Sequence, residues 1–369
     1  MMKTAFIFIF ILFFLKGPFL RGYSDELFDM KLALSKQFPP DKTWIDLQVD
    51  PSFSLDATTK DSFIARGSCL KIKNDRIFIL DNMRHKLLVF DIKGKFIKSL
   101  GQSGRGPGDI VYPYWMELYK NKIYIKNDNG IDIFGDDLEF ISRVRPFLGF
   151  GKFVIVDDWI YCAPPEIYKK DYPLFLKLNM AGSIKTAVYS PDLQNPLFQV
   201  SKEGNLLILD DQLVFVCTHW NRLYFYDPQA GTLKKIKVNY GLLDKVEKWN
   251  QRNTNPRQRK SLWFSNMTAS AKVFNRKVYL LLKVPRLEIL GIDTQGNVIE
   301  HYFNNKDFSS MIWVDFVVKE KAEPEHGAQR NSPIFFVMGI SGAEKGEEKY
   351  LEMNVFRLIP AKKPITIDK

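Results

Sequence analysis

A short apolar strand that recurs six times constrains this chain more than any other feature. It reads Arg76-Ile-Phe-Ile-Leu80, Lys122-Ile-Tyr-Ile-Lys126, Trp159-Ile-Tyr-Cys-Ala163, Gln212-Leu-Val-Phe-Val216, Lys277-Val-Tyr-Leu-Leu281 and Pro333-Ile-Phe-Phe-Val337. Each copy is followed by a second strand, as in Lys86-Leu-Leu-Val-Phe-Asp91, Gly130-Ile-Asp-Ile-Phe134 and Arg222-Leu-Tyr-Phe-Tyr226. A turn pair such as Lys93-Gly94, Ala181-Gly182 or Gln295-Gly296 then leads to a third. Turn residues between alternating runs mark antiparallel hairpins. An apolar run also precedes most copies, among them Ser68-Cys-Leu-Lys-Ile72, Phe153-Val-Ile-Val156 and Val314-Asp-Phe-Val-Val318. Each repeat is therefore a four-stranded sheet. It cannot cover its own apolar faces, so neighbours must stack on both sides.

Antiparallel four-stranded sheets at this spacing fit the radial stacking of a propeller. The predicted fold is all-β, a six-bladed β-propeller of four-stranded antiparallel blades. Its rivals are a β-sandwich with irregular hairpins and a pair of smaller β domains. The last copy lacks an outer strand after Leu358, and Trp44-Ile-Asp-Leu-Gln-Val49 has no partner of its own. This N-terminal strand is predicted to close the ring, since closure removes an exposed sheet edge. Ile365-Thr-Ile367 competes for the role. Aromatics make up 14% of the chain, led by 30 Phe and 15 Tyr, which favours strands.

The first residues read as an export signal. Lys3 precedes the mostly apolar run Thr4–Leu15, Gly17-Pro18 breaks it, and Gly22-Tyr23-Ser24 supplies small residues for cleavage before Asp25. The run is short for a membrane span, which wants about 20 apolar residues. The expected organisation is a signal peptide at 1–24 (alternatively an uncleaved anchor), a lead-in at 25–42, the propeller at 43–360 and a tail at 361–369. Within the propeller, 239–264 is an insert and 319–332 a polar, mobile loop. Leu242, Leu243, Val246 and Trp249 fall on one face of a short amphipathic helix in the insert. That helix either packs on the propeller or docks a partner. The expected location is periplasmic or extracellular, and the expected state a monomer that touches membrane only through an uncleaved N-terminal segment. Asn266-Met-Thr268 fits a glycosylation sequon, of consequence only in a eukaryotic host.

The three Cys, at 69, 162 and 217, each sit in an apolar strand-like run and read as buried hydrophobes. Their number and spacing suit neither a disulfide framework nor a zinc site. The net charge is +11, of which Lys3, Lys16 and Arg21 in the leader supply three. Such a balance suits solvated loops or an anionic surface. Nucleic acid is an unfit partner for an exported chain, despite the basic stretch Gln251–Lys260.

Asp81-Asn-Met-Arg-His-Lys-Leu-Leu-Val-Phe-Asp91, Lys93-Gly-Lys-Phe-Ile97 and Leu100-Gly-Gln-Ser-Gly-Arg-Gly-Pro-Gly-Asp109 together resemble the first blade of NHL-like six-bladed propellers. In particular the chain is similar to exported bacterial propeller proteins of that type. The resemblance covers about Leu70 to Asp109, and Asp109 stands where Glu is usual. It implies fold and export more than activity.

The Gly104–Asp109 stretch lacks the Lys and hydroxyl of a phosphate loop and is expected to be a tight connection between blades one and two. One rim is expected to gather Arg66, Asn82, His85, Arg105, Trp115, His219 and Trp220. Aromatic and Arg residues at a funnel mouth suit a protein, glycan or small ligand. The functional expectation is a binding or scaffolding module, with ordinary loop polarity as its rival. No catalytic residues are assigned, because the four His, at 85, 219, 301 and 326, lie beside no nucleophile motif. The enzymatic alternative is a hydrolase, lactonase or lyase with an axial metal. Calcium is its natural ion, but only Asp81-Asn82 and Asn127-Asp128 offer oxygen ligands at matching turns. No metal ligands or cofactor are therefore assigned.

Overall fold

The computed structural model describes residues 44–146, 151–163, 173–192, 204–253, 267–284, 286–304, 311–320, 333–345 and 348–361. The leader, the lead-in, residues 362–369 of the tail, residues 254–264 of the insert and residues 321–332 of the loop, with His326, lie outside them. So does Ile365–Ile367. Among the described residues no helix is long and apolar enough to cross a membrane.

Strand β1, Trp44–Val49, comes first in the chain. Blade one follows as β2 (Gly67–Lys73), β3 (Arg76–Asp81), β4 (Lys86–Asp91) and β5 (Phe96–Leu100). Blade two is β6 (Trp115–Tyr119), β7 (Lys122–Asn127), β8 (Gly130–Gly135) and β9 (Phe140–Val144). Blade three is β10 (Phe153–Val156), β11 (Trp159–Cys162), β12 (Phe175–Leu178) and β13 (Ile184–Val188). Blade four is β14 (Gly204–Leu209), β15 (Gln212–Cys217), β16 (Arg222–Asp227) and β17 (Thr232–Lys237). Helix α1, Gly241–Asn253, separates it from blade five, which is β18 (Thr268–Phe274), β19 (Lys277–Leu282), β20 (Glu288–Ile292) and β21 (Val298–Phe303). Blade six is β22 (Met311–Glu320), β23 (Pro333–Lys345) and β24 (Glu348–Pro360). Each blade is an antiparallel meander.

The six inner strands touch in series, β2 to β6, β10, β14, β18 and β22, and β22 returns to β2. The core lies between blades. One cluster spans blades one to three, another blades three to five with α1. A third joins blades five and six to β1, and the last sets Phe336 and Met338 of blade six against Ile77 and Phe90 of blade one. This is the stacking that the repeat demands, because each sheet presents two apolar faces.

The hairpins carry a repeated turn. Asp91, Asn179 and Asp293 each accept, through Oδ1, the backbone N–H groups two and four residues ahead, at 2.8–3.1 Å. The Asx side chain thus takes over a backbone role in the turn. The Gly three residues on, at 94, 182 and 296, has a φ of +85 to +94°. That conformation costs glycine nothing and other residues dearly.

Strand β1 closes the ring as predicted. Its Leu47–Val49 half pairs antiparallel with β24, opposite Pro360–Leu358. Its Trp44–Asp46 half also pairs parallel with β21, opposite His301–Phe303, so one strand bridges the outer edges of blades five and six. Leu47 is fully buried, and its carbonyl accepts a hydrogen bond from the Asn304 side chain. Trp44 stacks on His301, with ring centroids 3.5 Å apart, and Arg286 lies over the same indole.

Beneath that stack is a buried polar knot. The Glu288 carboxylate accepts hydrogen bonds from Tyr240 Oη, from His301 Nε2 (2.8 Å) and from Arg286 Nε (2.9 Å). Burial pushes the Glu288 carboxyl up, but the His301 hydrogen bond and charge, Arg286 and Tyr240 outweigh it and hold the group below its ordinary range. Burial lowers His301 further than Glu288 can restore.

Two elements differ from expectation. The inner strand of blade five, Thr268–Phe274, carries Ser, Ala and Lys among its apolar residues and has no visible apolar run. Strand β20 of the same blade, which pairs with β19, starts two residues later than the Arg286–Leu290 expected. All five of its residues are buried, so alternation gives no clue to its ends.

Candidate functional site

The inner strands bring a set of charged residues to the axis. Trp115, at the start of β6, is 2% exposed. Its indole Nε1 donates to the Phe153 carbonyl in blade three (2.8 Å) and to Glu117 Oε1 (3.2 Å). Three ammonium groups surround its ring. Lys71 Nζ of blade one lies 5.0 Å from the centroid, Lys272 Nζ of blade five 5.4 Å, and Lys152 Nζ, just before β10, 4.8 Å. The negative face of an indole attracts cations in this way, and more strongly where water is excluded.

Polar neighbours hold each lysine. Lys71 Nζ pairs with Glu117 Oε1 at 2.7 Å and Lys272 Nζ with Asp315 Oδ1 at 2.8 Å. Lys152 Nζ donates to Asn205 Oδ1 at 2.6 Å. Asp315 is 2% exposed and reaches both adjoining blades, accepting from Leu70 N (2.8 Å) and from the Ser270 hydroxyl. The inner strands of these three blades each carry a register shift there: Gly67/Cys69, Thr268/Ser270 and Trp313/Asp315. Such bulges re-aim side chains out of the pleat. Burial pushes the Asp315 carboxyl up, but Lys272, Ser270 and the Leu70 amide more than offset it and keep the group ionised. Burial likewise disfavours the Lys71 charge, and Glu117 outweighs it.

A cavity of about 230 Å³ opens beside this cluster, and every blade contributes to its wall. Lys71, Trp115 and Lys272 supply polar or aromatic surface; Val154, Leu207 and Val317 supply apolar surface. Most of the lining comes from the later halves of the inner strands, nearer the hairpins that follow them. Three of the residues expected at a rim, Arg66, Asn82 and His85, lie at the other end, where Asp81 pairs with Gly67.

There Asn82 meets Arg66, and His85 of the same turn meets Tyr112. Asn82 N donates to the Arg66 carbonyl, and His85 Nδ1 accepts from Tyr112 N, both at 3.0 Å. Buried Asp81 organises the turn by accepting from the backbone N–H groups of residues 65, 66, 83 and 84. Arg105 is exposed on the connection to blade two. Arg143 pins that connection, donating to the carbonyls of Arg105, Gly106 and Asp109 while paired with Asp132. The stretch is thus the tight connection expected, although positive φ explains Gly108 and not Gly104. A Cβ at Gly104 would fall 2.1 Å from the Asp109 carboxylate.

The other three candidates are elsewhere. Trp115 lies inside, on the axis. His219 and Trp220 are buried under α1 instead of standing at an open rim. Asn250 of α1 donates to the His219 carbonyl (3.0 Å), while Arg222 stacks on Trp220 and pairs with Glu247. The helix buries Leu242, Leu243 and Val246 in the core, so its apolar face is spent on the propeller. Among the described residues no three His, Cys, Asp or Glu side chains gather as a metal-binding group.

Lys71, Glu117, Lys152, Lys272 and Asp315 were not singled out from sequence. Lys71, Glu117 and Asp315 are each one charge inside an apolar run, which reads as ordinary alternation, while Lys272 lies in a strand with no such run and Lys152 just ahead of one. The usable signal was positional: in a propeller, a charged residue in the innermost strand has the axis for company.

Residues 53–145 match a family model described as a 6-bladed beta-propeller, DUF5128. A comparison with curated proteins found no match. Among solved structures, the chain is similar to a Bacteroides fragilis protein provisionally designated an exported protein. The identity is 12% and the TM-score 0.55, over 85% of this chain and 95% of that one. It is also similar to a member of the duf4221 family from Bacteroides vulgatus, at 12% identity and a TM-score of 0.52, over 87% of this chain and 100% of that one. At such identity these likenesses speak to the fold alone.

Proposed function

We propose that the protein is an exported binding module that takes a small ligand into the cavity on the propeller axis. The observation that carries this reading is the cavity itself: six blades converge on about 230 Å³, walled by aliphatic side chains around one indole and a few charged groups. Ligand sites combine apolar walls with a small number of placed polar groups in this way. The leader-like run Thr4–Leu15 supports the location. The rival metal-dependent hydrolase draws no support from the lining. Its carboxylate, Glu117, is paired with Lys71, and the ammonium groups around Trp115 repel a divalent cation.

A thermal-shift screen of small molecules tests the proposal, with Ile208→Trp as the control. Ile208 lines the cavity yet is 36% exposed, so the larger side chain obstructs the site without filling the core. A ligand at about 100 times its Kd stabilises the folded state by about 2.7 kcal/mol. The expected outcome is a set of compounds that raise the melting temperature of the wild type and not of Ile208→Trp. Equal shifts in both proteins would place binding elsewhere.

A further inference from the structure

We infer that the axial cavity takes a small neutral molecule, with an aliphatic body and one uncharged amide-like or hydroxyl group, in preference to an organic ion of either sign. The inference rests on the cavity being a ligand site and adds the ligand's chemistry.

Charge balance is the first ground. Among the described residues, Lys71, Glu117 and Lys272 are the charged groups of the lining. Lys71 Nζ pairs with Glu117 at 2.7 Å, and Lys272 Nζ pairs at 2.8 Å with Asp315, which lies off the lining. Each ammonium thus faces one carboxylate, and the two pairs carry no net charge. Lys152, the third ammonium beside Trp115, is also off the lining and donates to Asn205. An organic ion that enters gives up its water and finds no uncommitted counter-charge. Stripping water from a charge costs far more than stripping it from an amide or hydroxyl.

The wall is the second. Ile72 of β2, Ile208 of β14, Val273 of β18, and Val317 and Val318 of β22 line the space from four blades, and none of these side chains is buried. Buried Val154, Leu206 and Leu207 continue the same surface. Aliphatic groups that stay open on separate strands yet converge on one hollow leave apolar area for a ligand to cover. The one indole is no stacking platform, because Trp115 is 2% exposed and has Lys71 and Lys272 against its ring. The body is therefore aliphatic. At about 230 Å³ the space falls below the roughly 300–1,000 Å³ of drug-sized sites, so the body is also small.

The third ground is what the Lys71–Glu117 pair leaves unused. Both side chains are partly open, at 19% and 15% exposure. Lys71 and the Trp115 N–H both reach Glu117 Oε1, which leaves Oε2 to accept. An ammonium carries three N–H donors, and Lys71 gives one to Glu117. A group that both donates and accepts, such as a primary amide, answers the pair without bringing a charge.

Isothermal titration of the full protein with butanamide, pentanamide and hexanamide tests the assignment, beside hexanoate and hexylammonium as ions of matching length. The expected result is that hexanamide binds about ten-fold or more tightly than either ion. Amide affinity should rise about four-fold per added methylene, as the burial of one methylene predicts. Ile208→Trp should abolish this binding. Ile208→Asp adds one unmatched negative charge at a partly open position, and should weaken hexanamide while tightening hexylammonium; melting curves show that both variants fold. An ion that binds as tightly as hexanamide, with both lost in Ile208→Trp, would overturn the neutral ligand and leave the cavity as the site. Amide affinity that does not rise with length would overturn the aliphatic body. Hexanamide binding that survives Ile208→Trp would overturn the cavity itself. No binding of any amide at tens of millimolar would overturn the inference, while hits of the broader screen that Ile208→Trp abolishes would leave the cavity standing without it.

Discussion

Truncating Leu47 to alanine tests whether β1 holds the ring shut. The side chain is fully buried between blades five and six, in the cluster that includes Tyr302, Trp313 and Leu358. A buried Leu→Ala change costs about 2–5 kcal/mol, the transfer of the lost methyl groups plus the void they leave. Taking about 3 kcal/mol, and an unfolding entropy of about 2.1 cal/mol/K per residue over some 320 residues, the melting temperature should fall by about 4–5 °C. Gln48→Ala is the control, because Gln48 is exposed on the same strand and keeps its backbone pairing with β24. The strand's backbone contributes separately, and deleting residues 43–49 removes it. Two edges, β21 and β24, then lose a partner at once, and bare edges recruit other chains. The deletion should lower the melting temperature by many degrees and add oligomers in size-exclusion chromatography. Calorimetry checks the point variants. If Leu47→Ala melts within a degree of Gln48→Ala, the strand is an ornament on a ring that closes without it.

Acid should weaken the same seam. The folded-state pKa values of His301 and Glu288 are both lowered, so the unfolded chain takes up protons first as pH falls, and stability is lost below about 6.5 for His301 and further below about 4.5 for Glu288. Glu288→Gln should flatten the lower part of that profile in urea titrations at pH 7 down to pH 3; an unchanged slope would mean that the knot does not govern it. Asp81→Ala leaves four backbone donors, two ahead of β2 and two in the turn after β3, without their acceptor and should cost about 2–4 kcal/mol, read from the denaturation midpoint, with Asp81→Asn milder. The three Cys are buried, and burial pushes the Cys69 thiol up to about 12, so a thiol reagent at pH 8 should label none of them until denaturant is added. Fast labelling of the native protein would contradict the placement of these strands.

Residues close in sequence made most of the architecture legible. The six strand pairs, the Gly-bearing hairpins and the apolar stripe of Leu242, Leu243 and Val246 are local signals, since alternation and helical spacing show within a dozen residues. Even the closure by Trp44–Val49 was readable, because an unpaired strand at one end matched a missing strand at the other. The parallel pairing with β21 was not, since nothing in Trp44–Asp46 marks a second neighbour.

The site divided along the same line. Asn82 and His85 were legible as neighbours because one turn carries both, and Arg66, just ahead of β2, meets Asn82 through the pairing of β2 with β3. His219 and Trp220 were misjudged as open to solvent because the helix that covers them starts some twenty residues later. Lys71, Lys152 and Lys272 lie far apart in the chain and meet at Trp115. Sequence alone determined that each sheet needs neighbours, because apolar faces must be covered. Only the closed ring decided which charges face one another across the axis, because that depends on how six separate strands are rotated about a common centre.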